Sequence, residues 1–447
     1  MGDQIFPSCD AIGARRGRSL SSFSVGICVF GVLATLLVAV SAPGGAAELP
    51  ALQGEVRPAN ILQAGLSETK AIAAPHGTLP KWSHIDLAWL PVAEAPEAAP
   101  GSPLTSYLWR GSRQIAYLTL DGKLQELRCE GRGLWTHTDL MEEPVEAPPP
   151  APGSALTSFF WGGYKQIAYL TAEGHVHEIC CNPDGSWSDA DLLQQDGIVG
   201  APNAGPDAAL SAYVWRGYKQ IAYLTADGHV QELRCDTSPQ WTYTDLMPQP
   251  DIAATPAVSG SPLATYGSGD DKQIAYLSED GHVHELHCDA NEKWTHADVS
   301  QQTGAAAAAA GSALAACAWA GEKQIVYLTE DRHLHELRCD ATGKWSHADL
   351  MEQPGIEATV AVSGSPLTGY VAGGCKQFAY LSADGHVHEL SCGPSGPWTH
   401  ADLMELSYMD TDFAMKGSSL SSCIWSGMIE IFYFSEGGRL QELCFKP

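Results

Sequence analysis

The chain has 447 residues, of which 25 are lysine or arginine and 52 are aspartate or glutamate, so its formal charge at pH 7 is −27. A surface this acidic repels phosphate backbones and anionic lipid, so we expect no nucleic-acid partner. Hydrophobic residues make up 45% of the chain, which is enough for a large buried core.

The first 47 residues have the order of a secretory signal. Three arginines between residues 15 and 18 precede an apolar run from Val25 to Val40, and the small residues Gly45-Ala46-Ala47 follow. The apolar run is short for a membrane span, which needs ~20 residues. We predict cleavage near Ala47 and a secreted, periplasmic or cell-envelope protein. The alternative is an uncleaved anchor, which would be the chain's only contact with a membrane. Residues 48–80 are predicted to form a linker.

One sequence pattern recurs from Leu104 onward with a period of 51 to 54 residues. Each unit holds a first strand, a Lys/Arg-Gln-Ile-Ala-Tyr-Leu run, a glycine turn, a His-Val-His-Glu-Leu-x-Cys run and a tryptophan before Asp-Leu-Met. The repeats start near residues 102, 154, 208, 261, 312, 365 and 418. The tryptophans that mark the period are Trp82, Trp135, Trp187, Trp241, Trp294, Trp345 and Trp398. Repeats of this length with several short strands are typical of propeller blades.

Each unit is predicted to contain four strands, A to D. In the first unit these are Thr105–Trp109, Gln114–Thr119, Lys123–Cys129 and Trp135–Leu140, and Asp121-Gly122 makes the turn between B and C. Strands B and C are rich in isoleucine, valine, tyrosine and leucine with a period near two, which indicates β-strands.

The two ends of the array complement each other. The seventh unit, Ser419 to Pro447, is predicted to have strands A, B and C but no D. The segment from Lys81 to Leu87 is predicted to be an isolated strand D. Pairing them closes a ring and leaves no sheet edge open. The predicted fold is therefore all-β: a seven-bladed β-propeller of four-stranded antiparallel blades, spanning residues 81–447.

Six cysteines occupy one equivalent position in strand C. Neighbouring blades pack roughly 10 Å apart, too far for a disulfide, which needs Cα atoms closer than about 7 Å. We interpret these six as small buried residues: Cys129, Cys181, Cys235, Cys288, Cys339 and Cys392. The other cysteines could include a disulfide-bonded pair, and the sequence does not identify it.

A glutamate recurs in strand C, and a glutamine precedes it by twelve residues in strand B. The glutamates are Glu126, Glu178, Glu232, Glu285, Glu336, Glu389 and Glu442. The strand-B residues are Gln114, Gln166, Gln220, Gln273, Gln324, Gln377 and, in the last unit, Glu430. With a three-residue hairpin loop, Gln114 faces residue 128 and Glu126 faces Ala116, so amide and carboxylate are diagonal neighbours. The amide and the carboxylate either bind the vicinal hydroxyls of a sugar or form a hydrogen-bonded pair that joins adjacent blades.

The strand-D tryptophans also allow two interpretations. Each is either a packing wedge between blades or an apolar platform for the C–H face of a sugar.

Paired histidines two residues apart suggest metal binding, because they lie on one face of a strand. The pairs are His175/His177, His282/His284, His333/His335 and His386/His388. A metal site needs three or four ligands, and no third ligand is evident in the sequence. We therefore favour a solvated hairpin edge and predict neither a metal nor another cofactor.

No catalytic motif stands out. The Trp-x-His-x-Asp segment at Trp294–Asp298 recurs around the ring, whereas an enzyme usually has one distinctive set of groups. The exception is the pair Glu430 and Glu442, which resembles a glycosidase carboxylate pair but is better explained as drift in a terminal repeat. We predict that the protein is not an enzyme.

The repeat resembles that of the Aleuria-type fucose-binding lectins of fungi and bacteria, over residues 81 to 447. The matching features are Gly-Ser-Pro-Leu before strand A, a tryptophan that ends strand A, the strand B–C hairpin that ends in glutamate, and Gly-Lys-Trp before strand D. Examples are Gly101–Leu104, Trp109 and Gly343–Trp345. The resemblance implies a propeller, usually six-bladed, that binds fucosides between blades without metal. It also implies a pocket built from a strand-B arginine, the strand-C glutamate and an aromatic residue of the next blade.

Carried over to this chain, the resemblance assigns sugar binding to the strand-C glutamates and to the next blade's strand-D tryptophan, for example Trp187 beside Glu126. The strand-B arginine is replaced by glutamine, which is shorter and neutral. Arginines two residues after the glutamate are a hypothetical compensation in units one, three and five: Arg128, Arg234 and Arg338. The predicted carbohydrate-binding residues are thus these arginines, the six strand-B glutamines, the strand-C glutamates up to Glu389, and the strand-D tryptophans other than Trp135.

The predicted function is multivalent carbohydrate binding, of fucose or a related sugar, with glycans as partners. Two alternatives remain: a propeller scaffold for protein partners with degenerate sugar sites, and a glycan-processing enzyme. A lectin predicts repeated half-polar pockets between blades, and a scaffold predicts pockets filled by side chains. An enzyme predicts one pocket unlike the others.

Overall fold

The structure is a computed structural model that describes residues 82–87, 95–131, 134–142, 147–236, 238, 240–249, 252–394, 396–407 and 412–446. The predicted signal segment and linker lie outside the described residues. Those residues form 28 β-strands in seven four-stranded antiparallel sheets. Each sheet is one blade, and the blades are numbered 1 to 7 in chain order.

Every blade has the predicted order A, B, C, D. Strands A are β2 (Leu104–Trp109), β6 (Leu156–Trp161), β10 (Leu210–Trp215), β14 (Ala264–Ser268), β18 (Leu314–Trp319), β22 (Leu367–Ala372) and β26 (Leu420–Trp425). Strands B are β3 (Ser112–Leu118), β7 (Tyr164–Leu170), β11 (Tyr218–Leu224), β15 (Asp271–Leu277), β19 (Glu322–Leu328), β23 (Cys375–Leu381) and β27 (Met428–Phe434). Strands C are β4 (Leu124–Glu130), β8 (Val176–Cys181), β12 (Val230–Cys235), β16 (Val283–Cys288), β20 (Leu334–Cys339), β24 (Val387–Cys392) and β28 (Leu440–Phe445).

Strands D of blades 1 to 6 are β5 (Trp135–Asp139), β9 (Trp187–Asp191), β13 (Trp241–Asp245), β17 (Trp294–Asp298), β21 (Trp345–Asp349) and β25 (Trp398–Asp402). Blade 7 takes its strand D from β1 (Trp82–Asp86). A 3₁₀ turn at Leu192–Gln194 and a short helix, α1 (Val299–Thr303), follow two of the D strands. Within the described part of the chain, no helix is long and apolar enough to cross a bilayer.

The ring closes as the complementary chain ends predict. Strand β1 pairs with β28, and the indole of Trp82 stacks on Phe445 with ring centroids 4.9 Å apart. The first strands of successive blades pack against one another, and β26 packs against β2. There, the hydroxyls of Ser106 and Ser421 lie 2.7 Å apart. The prediction of a closed seven-bladed propeller is confirmed.

The middle strands are buried on both faces because each blade packs between two others. The strand-B tyrosine illustrates this: Tyr223 is fully buried, and its hydroxyl donates a hydrogen bond to the carbonyl of Pro202, 2.8 Å away in the link that precedes the blade. The equivalent tyrosines make the same bond 21 residues back: Tyr117, Tyr169, Tyr276, Tyr327, Tyr380 and Tyr433. The repeated tyrosine thus anchors each link between blades.

The predicted register of strands B and C is observed. Gln114 lies opposite Arg128, and Ala116 lies opposite Glu126. Strand B begins at Ser112, two residues before the predicted start, because the A–B turn is tight. Arg110 and Gly111 both have positive φ, of 51° and 76°, as a two-residue hairpin turn requires.

The strand-C cysteines are buried in blades 1 to 5, whereas Cys392 in blade 6 is only half-buried. The described cysteines form no disulfide. Burial raises the pKa of the Cys288 thiol to about 11, which keeps this group protonated at pH 7. A role as small core residues accounts for the cysteine at this position in blades 1 to 5, whereas blade 7 has Phe445 there.

Candidate functional site

The strand-C glutamate of one blade binds a basic residue from strand B of the next blade. Glu126 of blade 1 accepts hydrogen bonds from the Lys165 ammonium of blade 2, with Nζ 2.7 and 2.8 Å from its two carboxylate oxygens. The hydroxyl of Tyr107, on strand A of blade 1, donates to the same carboxylate. Both charged side chains are almost completely buried. The junction between these blades is therefore held by a desolvated ion pair.

The same arrangement recurs around the ring. The further pairs, with nitrogen–oxygen distances, are Glu178–Lys219 (2.8 Å), Glu232–Lys272 (2.7 Å), Glu285–Lys323 (2.5 Å), Glu336–Lys376 (2.5 Å) and Glu442–Arg113 (3.0 Å). At the junction of blades 6 and 7, Ile429 occupies the position of the basic residue. The basic residue comes directly before the strand-B glutamine. This basic residue is visible in the sequence as the first residue of the repeated Lys/Arg-Gln motif, but it was not among the predicted site residues.

Two indole rings enclose most of these cations. The Lys165 ammonium lies 4.4 Å from the ring centroid of Trp187, on strand D of its own blade, and 5.1 Å from that of Trp109, on strand A of the preceding blade. Each ring attracts the cation through its negative face. The structure thus brings Glu126 and Trp187 into one junction, as the resemblance implies, with Lys165 between them.

The tryptophan that ends strand A covers the junction, and we call it the capping tryptophan. In blade 3, the Trp215 indole lies 4.8 Å from the Lys272 ammonium and donates a hydrogen bond to the Asp270 carbonyl in the next blade's A–B turn, at 2.9 Å. The capping tryptophans are Trp109, Trp161, Trp215, Trp319 and Trp425. Blade 4 has Ser268 at this position, and blade 6 has Ala372.

The strand-B glutamines are buried. Their exposed fractions do not exceed 7%, and several amide atoms have no hydrogen-bond partner among the described residues, including Oε1 and Nε2 of Gln114 and Oε1 of Gln273. Gln220 is better satisfied because its Oε1 accepts a hydrogen bond from Lys272 at 2.8 Å. Gln220 thus contacts the ion pair between blades 3 and 4, and Gln273 lines the cavity between blades 4 and 5.

The three strand-C arginines lie opposite the strand-B glutamines, as the register predicts. Each makes an ion pair with a carboxylate other than the strand-C glutamate. These pairs are Arg128–Glu130 (2.5 Å), Arg234–Glu292 (3.2 Å) and Arg338–Glu322 (2.6 Å). The cation beside the strand-C glutamate is the next blade's lysine instead.

A cavity of about 380 Å³ opens between blades 4 and 5. Its polar lining includes Gln273, Glu285 and Lys323, and the half-buried indole of Trp345 forms one wall. Ser268 lines this cavity at the position of a capping tryptophan, so no indole from strand A of blade 4 covers Lys323. The Lys323 side chain is 15% exposed as a result, whereas the equivalent lysines are at most 7% exposed.

A second cavity, of about 270 Å³, lies between blades 5 and 6. Glu336, Arg338 and Lys376 line it together with two indoles, the capping Trp319 and Trp398 of strand D. It holds two cationic groups and one carboxylate, so it differs in charge from the cavity between blades 4 and 5. Of the three strand-C arginines that were predicted to bind sugar, Arg338 lines one of these two cavities, whereas Arg128 and Arg234 line neither.

The histidine pairs acquire a third neighbour that the sequence did not reveal, the aspartate that ends strand D. In blade 6, ligand atoms of His386, His388 and Asp402 lie within 4.8 Å of one another. Hydrogen bonds join Nδ1 of His386 to Asp402 at 2.6 Å and Nδ1 of His388 to Nε2 of His400 at 3.0 Å. Burial lowers the pKa of His388 to about 4, so this ring is neutral at pH 7. These hydrogen bonds explain the His386/His388 pair without a metal ion, as part of a polar network within the blade.

The Glu430–Glu442 pair lies at the ring closure and is fully buried. Nη1 of Arg113, from blade 1, binds Glu430 at 2.6 Å and Glu442 at 3.0 Å. Burial and the neighbouring Glu430 carboxylate raise the pKa of Glu442 to about 7. A glycosidase pair has to admit a sugar between its carboxylates, whereas here an arginine lies between them.

Comparisons with known proteins identify relatives of the fold. No protein-family model matches the sequence. Two curated relatives are the rat and mouse forms of "Sushi, von Willebrand factor type A, EGF and pentraxin domain-containing protein 1". The rat protein (Rattus norvegicus) is 24% identical over 195 residues, and the mouse protein (Mus musculus) is 22% identical over 227. These matches cover 38% and 45% of this chain but only 5% and 6% of the relatives, so the chain spans a small part of their length.

Among solved structures, the BP39L lectin of Burkholderia pseudomallei superposes with a TM-score of 0.60 and 13% identity, covering 78% of this chain and 97% of the lectin. A fucose-specific lectin from Aleuria aurantia gives a TM-score of 0.47 and 17% identity, covering 69% and 97%. The superposition on BP39L shows that the chain is similar in fold to a solved lectin.

Proposed function

We propose that the protein is a non-catalytic carbohydrate-binding protein that holds sugars in pockets between its blades. The observation that carries this proposal is the cavity between blades 4 and 5, whose 380 Å³ falls within the roughly 300–1,000 Å³ of small-molecule sites. It combines a carboxylate, an ammonium group and an amide with an aromatic wall. The similarity in fold to a lectin propeller supports the same function.

The chemistry of this cavity suits a sugar. The Glu285 carboxylate accepts hydrogen bonds from hydroxyl groups, and the Lys323 ammonium donates to hydroxyl or ring oxygens. Hydrogen bonds to charged groups contribute about 1.5–3 kcal/mol each, compared with ~1 kcal/mol for neutral ones. The Trp345 indole offers an apolar face for the C–H side of the ring. Lys323 thereby supplies the positive charge that a strand-B arginine provides in the family that the repeat resembles.

The pocket between blades 5 and 6 is proposed as a second site. Two modest sites on one rigid ring gain avidity on a dense glycan surface, provided that both can engage it at once. We further propose that the mature chain is exported, on the strength of the arginine, apolar and small-residue order of its first 47 residues. Fucosides are the first sugars to test, because the repeat resembles that of fucose-binding lectins.

A protein-binding scaffold is the second candidate, and a specific observation favours it. At the junctions of blades 1/2, 2/3, 3/4, 5/6 and 7/1, the chain's own lysine or arginine lies between two indole rings. Among the described residues, the chain's own cation thus lies between the aromatic rings of these five junctions, as a scaffold with degenerate sugar sites would have it.

A glycan array followed by calorimetric titration distinguishes the two candidates. We expect the chain to bind at least one glycan, and Glu285→Gln to weaken that binding by about tenfold or more, because a charged acceptor is lost. Glu178→Gln is the matched control, since it removes the equivalent carboxylate from a capped junction and has to leave glycan binding unchanged. Absence of binding across the array, or equal losses in both variants, would favour the scaffold.

A further inference from the structure

The junction of blades 6 and 7 departs from the others at two positions at once. Strand C of blade 6 keeps its glutamate, Glu389, and the hydroxyl of Tyr370 donates to it as Tyr107 does to Glu126. The basic residue of the next blade is replaced by Ile429, whose side chain is fully buried in the core of blade 7. The capping tryptophan is replaced by Ala372.

Glu389 is consequently a carboxylate without a cation. No described lysine, arginine or histidine makes an ion pair with it, whereas each of the other six strand-C glutamates binds a basic residue at 3.0 Å or less. Those six are 1–4% exposed, and Glu389 is half-buried. Burial raises the pKa of Glu389, and the Tyr370 hydrogen bond opposes that rise. The group is thus desolvated, but it can be reached from solvent.

The remaining parts of the cation site are still present. Trp82, on strand D of blade 7, holds the position from which Trp187 and its equivalents contact the cation at 4.4–4.9 Å. Stacking on Phe445 holds its indole in place. Ala372 puts a methyl group at the position of the capping indole, as Ser268 puts a small side chain there between blades 4 and 5, where a cavity is present. Glu389, Tyr370 and Trp82 thus keep the places that surround a lysine ammonium at other junctions, and the shorter, uncharged Ile429 stands where the lysine does.

We propose that the junction of blades 6 and 7 binds a primary ammonium group of a ligand, in the position that a lysine of the following blade takes elsewhere in the ring. The ligand's ammonium donates to Glu389 and lies against the face of Trp82, which is the environment of Lys165 beside Glu126 and Trp187. A lysine side chain and an amino sugar both carry this group. The inference goes beyond glycan binding between blades 4 and 5 and does not depend on it.

Paired probes test the proposal with the full chain. Nα-acetyl-lysine amide is compared with Nα-acetyl-norleucine amide, which has a similar stem without the charge, and glucosamine is compared with N-acetylglucosamine. Binding is followed by calorimetry. We expect a charged probe to bind and its uncharged partner to bind at least about tenfold more weakly. The better charged probe distinguishes a peptide ligand from a sugar ligand.

Two substitutions locate the site. Glu389→Gln removes the carboxylate, and Ile429→Lys fills the position with the chain's own ammonium, so each is expected to abolish binding of the charged probe. Ile429→Leu is the matched control and should leave binding unchanged. Because Glu389→Gln removes a half-buried carboxylate that has no cation among the described residues, we expect that variant to fold even if Ile429→Lys does not. Equal binding of charged and uncharged probes, or undiminished binding by Glu389→Gln, overturns the proposal.

Discussion

Lys165 of blade 2 binds both carboxylate oxygens of Glu126 in blade 1, at 2.7 and 2.8 Å, and the two side chains are only 2% and 4% exposed. Such a pair joins residues 39 positions apart across the surface between two blades. Its attraction has to offset the desolvation of both charges, so the pair is more costly to break than to replace as a whole. The junction of blades 1 and 2 therefore depends on keeping both members of the pair or neither.

We expect Lys165→Met to lower the free energy of unfolding by about 3–5 kcal/mol, because it leaves the Glu126 carboxylate buried without its cation. The double variant Lys165→Met, Glu126→Gln should recover part of this loss, because no uncompensated charge remains. Urea unfolding of the four proteins in a double-mutant cycle measures both values. Lys123→Met is the control, since Lys123 pairs with Asp139 at an exposed position and its removal should change stability little. Equal effects of the two lysine substitutions would contradict a special role for the buried pair.

Closing the cavity between blades 4 and 5 should abolish glycan binding there without unfolding the protein. Ser268→Trp restores the capping tryptophan, and we expect its indole to cover Lys323 as Trp215 covers Lys272. Calorimetric titration should then show the loss of one binding site, with a melting temperature at or above that of the wild type. Ser268→Ala keeps the cavity open and serves as the control. A Ser268→Trp variant that still binds glycan at this junction would be inconsistent with the proposed pocket.

The ring closure should become less stable as pH rises through the range in which Glu442 loses its proton. The pKa of Glu442 is raised from 4.5 to about 7 in the folded state, so between these values the folded chain holds a proton that the unfolded chain releases. The free energy of unfolding therefore falls as pH rises across this window, by an amount on the order of 1–3 kcal/mol. Glu442→Gln should remove this decline and be the more stable protein at about pH 8, with the difference vanishing near about pH 5.

Thermal unfolding at a series of pH values measures this effect. Glu130→Gln, at an exposed position on the neighbouring blade, is the control and should keep the pH dependence of the wild type. Identical pH profiles for Glu442→Gln and the wild type would show that Arg113 keeps Glu442 ionised throughout.

Two hairpin glycines with the same backbone conformation should differ in their tolerance of a methyl group. Gly122 and Gly228 both have φ of 79°, so replacement by alanine costs each about 1–2 kcal/mol of backbone strain. A Cβ at Gly228 would also lie 2.2 Å from the carbonyl oxygen of Ala257 in the following link, whereas one at Gly122 meets nothing within 4 Å. We expect Gly228→Ala to be clearly more destabilising than Gly122→Ala in chemical denaturation. Equal losses would mean that the link moves aside without cost.

The sequence by itself determined the parts of this protein that depend on local repetition. The tryptophan period, the incomplete seventh unit and the extra strand at Trp82 together specify a closed seven-bladed ring. The alternation of side chains along strands B and C specified that Gln114 faces Arg128 and that Ala116 faces Glu126, because pairing within a hairpin follows from loop length and a period of two.

Only the tertiary structure decided what each glutamate meets. Glu126 and Lys165 lie in different sheets, and the packing of one blade on the next brings them together, which no periodicity within a blade encodes. The effect of losing a capping tryptophan likewise depends on how two blades pack. Ser268 and Ala372 are single departures in strand A, and their consequence appears only where that strand's end covers a cation of the following blade. Contacts within a hairpin are set by the chain's own connectivity, whereas contacts between blades depend on the shape and burial of two surfaces at once.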